Sequence, residues 1–221
     1  MKGRRRISET YYLIGAGGHA KVVLDALLSS GKNVGGCYDS NPALTGREVL
    51  AGIRVLGNMD DAERDIGIAD LCVIAIGENR VRRKLDGCPG VTYGKVISTS
   101  AVIGGGVKIC EGTMILPSAT INVDSRIGRH VILNTSCSVD HDCVIGDYAH
   151  LAPGCALGGN VMVGEGSFLG VGVRVIPGIR IGHWSVIGAG TVVTKNLPDN
   201  CTAVGVPAKV IKTREEGWHL A

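Results

Sequence analysis

Aliphatic side chains recur at every sixth position through the second half of the chain. A period of six fits neither an α-helix, with 3.6 residues per turn, nor an alternating strand, with a period of two. It is typical of a parallel β-helix, in which each hexapeptide forms one side of a prism, three hexapeptides close one coil, and residues eighteen apart stack. The pattern predicts such a β-helix over residues 97–196. The run is unbroken over Ile97, Ile103, Ile109, Ile115, Ile121, Ile127, Leu133, Val139, Ile145, Leu151, Leu157, Val163, Leu169, Val175, Ile181, Ile187 and Val193.

The other positions of the hexapeptide support this prediction. Glycine often follows the aliphatic residue, where we expect the chain to turn a corner with unusual backbone dihedrals. The fourth residue after the aliphatic is small or slim, because a narrow prism has room for one large side chain on each side. These small residues are Ala101, Thr113, Ala119, Ser125, Cys137, Cys143, Ala149, Cys155, Ser167, Ser185 and Thr191.

The first part of the chain has a different pattern. Short apolar runs at Tyr11–Ile14, Val34–Asp39 and Leu71–Ile76 alternate with helical patterns, one ending near Gly31 and one covering Asn79–Leu85. Strands that alternate with helices predict a small parallel α/β domain. The predicted organisation is a basic tail (1–10), a small α/β domain (11–93), the β-helix (97–196) and a carboxyl-terminal extension (197–221).

Composition narrows the class of protein. The low aromatic content, 4%, agrees with a core of stacked aliphatics, and the net charge of +3 is carried partly by the basic start. No aromatic or amphipathic stretch accompanies those basic residues, so we expect a solvated tail and neither a nucleic acid nor a membrane as partner. No apolar segment reaches transmembrane length and no signal peptide is visible, which predicts a cytoplasmic protein with reduced cysteines. Cys137, Cys143 and Cys155 lie at the small core positions and Cys72 lies in an apolar run, so these thiols are expected to be buried.

A glycine-rich loop is the first candidate site. Gly15, Gly17 and Gly18 lie between a predicted strand and helix, where backbone N–H groups suit a phosphate. Ala20 stands where the dinucleotide-binding fingerprint has its third glycine, and Asp39 follows the next strand, where a ribose-binding acid is expected. We interpret the loop as a half-sized nucleotide site; a purely structural tight turn is the alternative.

A histidine between two acids is the second candidate. His141 lies in Asp140-His141-Asp142, and a neighbouring carboxylate can fix the tautomer of an imidazole and raise its basicity. Gly159 is eighteen residues further on and is expected one coil above His141, where its N–H could stabilise an oxyanion. The alternative for His141 is an ordinary surface position.

His150 lies only half a coil beyond His141. Within one chain the two imidazoles are then expected about 10 Å or more apart, given about 3.3 Å per extended residue. If both serve one site, neighbouring chains must supply them. This predicts an oligomer with sites at subunit seams, most simply a cyclic trimer.

Three segments together resemble a known family. Gly15-Ala-Gly-Gly-His-Ala20, Ile74-Ala-Ile-Gly-Glu-Asn79 and the stretch 133–150, with Leu133-Asn-Thr135 and Asp140-His-Asp-Cys-Val-Ile-Gly-Asp-Tyr-Ala-His150, occur in the order found in certain sugar acetyltransferases. These are the sialic-acid O-acetyltransferases and the bacillosamine-type UDP-4-amino-sugar N-acetyltransferases, within the hexapeptide-repeat acyltransferases. The resemblance covers about residues 11–211 and implies a left-handed β-helix, a homotrimer and acetyl-CoA as co-substrate without a metal.

The resemblance also implies roles for individual residues. His141 would be the general base, with Asp142, or alternatively Asp140, raising its basicity. Many relatives have Glu at position 142, and they often have two acids at 39–40, from which Ser40 departs. The cofactor-binding residues would be His150, Gly159, Val171, Ala189, Ala208 and Lys209, and the sugar nucleotide would contact Gly17, Gly18, His19, Asp39, Ser40 and Gly77.

The predicted reaction is acetyl transfer from acetyl-CoA to the amine of a nucleotide-linked 4-amino sugar, with UDP the favoured nucleotide and GDP or dTDP close behind. O-acetylation of a sialic acid or another sugar hydroxyl is an alternative. The fold is also compatible with a zinc-dependent trimer resembling carbonic anhydrases, or with a non-catalytic sugar-nucleotide binder. Cys143 is close in sequence to His141, but its hexapeptide position points it into the core, which argues against a nucleophile.

Overall fold

Six strands and three helices precede the hexapeptide run in this computed structural model, which describes residues 9–87 and 91–220. Most of the predicted basic tail lies outside the described residues. The strand order of the first sheet is β3-β4-β2-β1-β5-β6, and all neighbours are parallel except the antiparallel pair β3–β4. The elements are β1 (Thr10–Ile14), α1 (Gly18–Ser29), β2 (Asn33–Tyr38), β3 (Glu48–Leu50), β4 (Ile53–Gly57), α2 (Met59–Asp65), β5 (Leu71–Ile74), α3 (Asn79–Leu85) and β6 (Thr92–Tyr93), with a single 3₁₀ turn at Pro42–Leu44.

Seventeen two-residue strands follow, and the second residue of each is one of the predicted aliphatics. Strands eighteen residues apart pair in parallel and form three sheets, the faces of a left-handed parallel β-helix. Face A contains β7 (Val96–Ile97), β10 (Met114–Ile115), β13 (Ile132–Leu133), β16 (His150–Leu151), β19 (Phe168–Leu169) and β22 (Val186–Ile187). Face B contains β8 (Val102–Ile103), β11 (Thr120–Ile121), β14 (Ser138–Val139), β17 (Ala156–Leu157), β20 (Arg174–Val175) and β23 (Val192–Val193). Face C contains β9 (Lys108–Ile109), β12 (Arg126–Ile127), β15 (Val144–Ile145), β18 (Met162–Val163) and β21 (Arg180–Ile181).

The aliphatic second residues form the core of the prism. From Ile115 onward they are buried, whereas Ile97 and Ile103 are partly exposed. The difference arises because these two belong to the first coil, which has no coil beneath it to cover their side chains.

The structure requires glycine after the aliphatic residues for a reason other than the predicted one. Gly146 and Gly164, for example, do not have left-handed dihedrals; the positive φ angles fall at other corner positions, as at Asp142 and Trp184. A Cβ on Gly146 would lie 2.6 Å from the backbone nitrogen of Glu165 in the next coil. Close approach between coils therefore requires these glycines, and the prediction of unusual dihedrals at them is wrong.

The first sheet and helix α1 pack on face A. The outward side chains of the first three strands on that face, Val96, Met114 and Ile132, are fully buried in one apolar cluster with Val23 and Leu27 of α1. The first coils of face A are therefore shielded from solvent by the α/β layer. His150, the next outward residue along the face, lies where this apolar contact ends.

Two further strands extend face A beyond the hexapeptides. β24 (Cys201–Val204) pairs in parallel with β22, and β25 (Lys209–Thr213) returns antiparallel to β24. A 3₁₀ turn at Trp218–Leu220 ends the described chain. Among residues 9–87 and 91–220, no helix has the length and apolar character needed to cross a membrane.

Candidate active site

His141 projects from the edge between faces B and C. Its side chain is 54% exposed, and its Nδ1 donates to Asp142 Oδ2 over 2.8 Å, which leaves Nε2 free to accept a proton. The backbone N–H of His141 donates to Asp140 Oδ1, which also accepts from the Asn122 amide at 2.8 Å. The hydrogen bond to Asp142 and the charge of Asp140 raise the pKa of His141 above its ordinary value. The geometry is that of an oriented general base.

Gly159 lies one coil above His141, as the eighteen-residue spacing predicts. The N–H of Asn160 donates to the His141 carbonyl over 2.9 Å, which fixes the stacking of the two corners. The Gly159 N–H has no acceptor among the described residues. A free backbone donor thus lies beside the imidazole, as stabilisation of an oxyanion requires.

Cys143 is not available as a nucleophile in this arrangement. Its side chain is fully buried, its Sγ faces the Gly158 carbonyl at 3.3 Å, and burial raises the pKa of the thiol. A protonated thiol inside the prism does not attack a thioester.

His150 is far from this edge of the prism. It projects from face A beneath the α/β layer, 8% exposed. Its Nδ1 donates to the Gly77 carbonyl at 3.2 Å and its Nε2 accepts from Asn134 at 3.1 Å. Burial, with the nearby charge of Arg82, lowers the pKa of His150 to about 3, so the ring is neutral. One chain therefore does not bring His141 and His150 together.

The glycine loop faces open space at the carboxyl edge of the first sheet. A Cβ built on Gly17 or Gly18 would meet nothing within 4 Å. Asp39 holds the loop, because its Oδ2 accepts from the Ala16 N–H over 2.8 Å while its Oδ1 accepts from the Asn41 N–H. Ser40 beside it is exposed.

His19 links this loop to the junction with the β-helix. Its ring centroid is 6.2 Å from that of His150, and burial lowers its pKa to about 4. Its Nε2 is buried without a hydrogen-bond partner in the described part of the chain. An unsatisfied buried nitrogen is costly, and a ligand in the loop could supply the missing partner.

Four of the predicted cofactor-binding residues, Val171, Ala189, Ala208 and Lys209, lie together along the edge between faces A and B. The Gly190 N–H donates to the Val171 carbonyl, which stacks Val171 under Ala189, and both side chains are exposed. The Ala208 N–H donates to the Val192 carbonyl, which brings Ala208 and the neighbouring Lys209 to the end of the same edge. The predicted cofactor line and the His141 edge therefore border face B from opposite sides.

Arg82 is a buried anchor between the two layers, and it was not predicted from the sequence. It is fully buried and donates from α3 to the carbonyls of Ile76, Gly77, His130 and Tyr148, at 2.7–3.0 Å. It thereby ties the α/β layer to the β-helix and fixes the Gly77 carbonyl that holds His150. The sequence does not indicate which of the basic residues within 80–84 is buried. Only the position of Arg82 close to the Gly-Glu-Asn segment could have suggested that it is the buried one.

A second contact comes from the same segment. Asn79, also buried, donates from its Nδ2 to the Gly166 carbonyl over 3.0 Å. The Gly-Glu-Asn segment thus serves the junction between the two layers as well as the candidate site. Within residues 9–87 and 91–220 of one chain, no three His, Cys, Asp or Glu side chains are grouped so as to hold a metal ion.

Comparison with known proteins agrees with this architecture. Residues 11–85 match the family model described as the PglD N-terminal domain. Over 107 residues, 48% of this chain, an uncharacterized protein of Acanthamoeba polyphaga mimivirus is 34% identical; the match covers 21% of that protein, so the chain spans about a fifth of the curated relative's length.

Solved structures match over almost the whole chain. A perosamine N-acetyltransferase from Caulobacter crescentus, in complex with CoA and GDP-perosamine, is 41% identical over 93% of this chain and 98% of its own, with a TM-score of 0.86. The acetyltransferase domain of PglB from Neisseria gonorrhoeae is 30% identical over 92% of this chain and 100% of its own, with a TM-score of 0.86. WeeI from Acinetobacter baumannii is 30% identical over the same shares, with a TM-score of 0.83.

These matches confirm the predicted fold class and the predicted family. The matched regions of these structures include both the α/β layer and the β-helix. The chain belongs to the hexapeptide-repeat family of acetyl-CoA-dependent sugar N-acetyltransferases that includes the bacillosamine-type enzymes.

Proposed function

We propose that this protein transfers an acetyl group from acetyl-CoA to the amine of a nucleotide-linked amino sugar, with His141 as general base. The observation that carries the proposal is the arrangement of His141 between Asp142 and the free N–H of Gly159. A base oriented by a carboxylate beside an oxyanion donor is what direct aminolysis of a thioester needs.

In the proposed reaction the amine nitrogen attacks the thioester carbonyl carbon while His141 Nε2 takes a proton from the nitrogen. The carbonyl oxygen gains negative charge, which the Gly159 N–H stabilises. The C–S bond then breaks, and the imidazolium returns its proton to the departing thiolate. The products are the amide and free CoA, with no acetyl-enzyme between them. Asp142 stabilises the charged imidazolium and holds its tautomer.

A homotrimer is part of the proposal. The His141 edge and the Val171–Ala189 edge border face B, and the outward residues of β11, β14 and β17 on that face, Thr120, Ser138 and Ala156, are small. Three copies packed by face B around a threefold axis would set the His141 edge of one chain against the Val171–Ala189 edge of the next. Acetyl-CoA would then lie along each seam, with its nucleotide end near Ala208 and Lys209.

The α/β layer would hold the acceptor. The open glycine loop at Gly17 and Gly18 suits a diphosphate, and Asp39, Ser40 and Gly77 lie at the ends of adjacent strands around it. His19, with its unsatisfied nitrogen, lies between this loop and His150. The role of His150 is then to fix the junction through Gly77 and to border the acetyl end of the seam.

The nucleotide is the least constrained part of the acceptor. The sequence prediction favours UDP, whereas the Caulobacter crescentus enzyme crystallised with GDP-perosamine is 41% identical to this chain. This identity is higher than the 30% shared with the PglB domain. A GDP-linked amino sugar is therefore the favoured acceptor.

A thiol-release assay with acetyl-CoA and a panel of GDP-, UDP- and dTDP-linked 4-amino sugars tests the proposal. Turnover on an amino sugar, with the amide identified by mass spectrometry, supports it. Turnover only on sialic acid or another free sugar hydroxyl supports O-acetylation instead. If no thiol is released with any nucleotide sugar or free sugar but a nucleotide sugar still binds, the protein is a non-catalytic binder.

A further inference from the structure

Two exposed apolar side chains project from face C beside the His141–Gly159 corner. Val144 follows His141 by three residues, and Met162 follows Gly159 by three residues. They are the first residues of β15 and β18, which pair directly, and they are 37% and 46% exposed. Three residues of chain span at most about 10 Å, so both side chains lie close to the candidate base and oxyanion donor. We name Val144 and Met162 the apolar wall.

The apolar wall interrupts a basic face. The other outward residues of face C are Lys108, Arg126 and Arg180, all exposed. Side chains that project outward do not fill the prism, so the fold requires neither charge nor apolar character at these positions. The two apolar residues nevertheless occupy the two coils that carry His141 and Gly159. This coincidence indicates a contact with a ligand at that corner.

The glycine loop lies toward the edge between faces A and B. His150 Nε2 accepts from Asn134, the first residue after β13 on that edge, at 3.1 Å. The ring of His19, beside the loop, has its centroid 6.2 Å from that of His150. In the proposed trimer this edge of one chain meets the His141 edge of the next. Face B is packed around the threefold axis, so an acceptor in the loop of one chain reaches His141 of the next chain from the side of face C.

The position of the apolar wall indicates which part of the sugar it contacts. In a pyranose with an amine on carbon 4, one neighbouring carbon bears a hydroxyl group and the other, carbon 5, bears carbon 6. Carbon 6 is a methyl group in a 6-deoxy sugar and a hydroxymethyl group in an ordinary hexose. With the amine at His141, an apolar wall beside it suits a methyl group, since burial of a methyl is favourable and burial of a hydroxyl without a hydrogen-bond partner is costly.

We infer that Val144 and Met162 are specificity-determining residues that select an acceptor with a methyl group next to the amine-bearing carbon, and that they contact a sugar bound by the neighbouring chain. This inference rests on the proposed function and its homotrimer, because the glycine loop that faces the wall belongs to the next chain. Arg126 and Arg180, one on each side of the wall, carry charge that complements the diphosphate of such an acceptor.

Two acceptors that carry the same nucleotide test the inference. One is a 4-amino-4,6-dideoxyhexose and the other is its counterpart with a hydroxyl on carbon 6. We expect the wild type to prefer the 6-deoxy sugar about 10- to 100-fold in kcat/KM. The double variant Val144→Thr/Met162→Gln keeps the side-chain sizes but adds polar groups. It should reduce the preference to about threefold or less, with the KM for acetyl-CoA within about twofold of wild type.

Val81→Thr is the matched control. Val81 is also 37% exposed, but it lies on α3, which contacts the edge between faces C and A through Asn79 and Gly166. Its variant should keep the wild-type preference. Size-exclusion chromatography with light scattering follows the oligomeric state of every variant, and we expect trimers throughout.

Binding gives a readout that does not need turnover. Calorimetry in the presence of CoA measures the affinity for the 6-deoxy amino-sugar nucleotide and for the matching nucleoside diphosphate. The double variant should bind the first about tenfold more weakly. Its affinity for the second should stay within about twofold of wild type, because the wall contacts only the sugar.

The two proposals fail in different ways. An unchanged preference in the double variant, a wild type without the preference, or an equal loss of affinity for both ligands would overturn the inference. Dissociation of the double-variant trimer would also overturn it, because the two side chains would then serve the contact between chains. In each case a wild type that acetylates an amino sugar leaves the proposed function intact. A wild type that acetylates neither sugar and binds neither ligand refutes the proposed function, and the inference falls with it.

Discussion

The imidazole of His141 lies directly against the Cα of Gly159 in the next coil. A Cβ built on Gly159 would be 2.6 Å from both Cε1 and Nε2 of His141, closer than real side chains approach. The hexapeptide repeat therefore does more than stack coils; the glycine at this corner leaves the space in which the His141 ring packs.

Gly159→Ala should displace His141 without unfolding the β-helix. The φ angle of Gly159 lies outside the left-handed region, so alanine is compatible with its backbone, but the methyl group would overlap the ring. We expect kcat to fall about 100-fold, as small misplacements of catalytic groups do. Gly105→Ala is the matched control, because Gly105 occupies the same corner three coils earlier and has open space around it. Equal kcat values for the two variants would contradict the proposed contact.

Asp142→Asn should move the acidic limb of the pH–rate profile to lower pH. The base must be neutral to act, and Asp142 raises the pKa of His141 above 6.5, so activity in the wild type should be lost as pH falls through that raised value. Without the carboxylate the pKa falls, and the limb follows it downward while kcat at pH 8 decreases. The comparison is Asp124→Asn, one coil below in the same left-handed corner. A limb that does not move would show that another group limits the rate at low pH.

Arg82→Ala should destabilise the protein far more than Arg83→Ala. Arg82 donates to four buried or half-buried carbonyls, and its loss removes a hydrogen bond from each of them in a closed interface. The expected loss in the free energy of unfolding is about 3 kcal/mol or more. Arg83 is partly exposed, pairs with Glu165 at 3.3 Å and lies 5.7 Å from the centre of the Trp184 ring, so its loss should cost about 1 kcal/mol. Urea unfolding measures both; similar midpoints would exclude Arg82 as the anchor.

Mixed trimers should recover activity from two inactive variants. His141→Ala removes the base on one edge, and Ala189→Trp fills the predicted cofactor path on the other. If each site combines the edges of two chains, co-expression should restore about a quarter of wild-type activity, since one seam in each mixed trimer has both edges intact. Purified variants assayed separately give the baseline. No recovery in mixtures that contain both chains would mean that a single chain supplies both edges.

Much of the fold follows from local patterns in the sequence. All seventeen inward positions were predicted, because an eighteen-residue register leaves one narrow interior to fill. The strands β1, β2 and β5 were also predicted, within one or two residues at most ends. β3, β4 and α2 were not, because segments of three to seven residues at the surface carry too few periodic positions; only the capping box between Asn58 and Asp61 marks α2.

The site was predictable where stacking alone decides it. The spacing placed Gly159 over His141, and it separated His141 from His150. The burial of Arg82 depends on contacts between segments far apart in sequence, which no local pattern records. Asp142, which has a left-handed φ of 58°, contacts Nδ1 of His141 at 2.8 Å, a contact between adjacent residues that the spacing along the chain allowed.

The most direct test is the thiol-release assay on wild type and His141→Ala with the amino-sugar nucleotide that gives turnover. Structures of the Caulobacter crescentus enzyme with one histidine replaced contain both CoA and GDP-perosamine, so that enzyme binds both ligands without this histidine. The proposal predicts that His141→Ala loses about 1,000-fold or more in kcat while it still binds both substrates in calorimetry. Turnover within about tenfold of wild type would show that another group is the base.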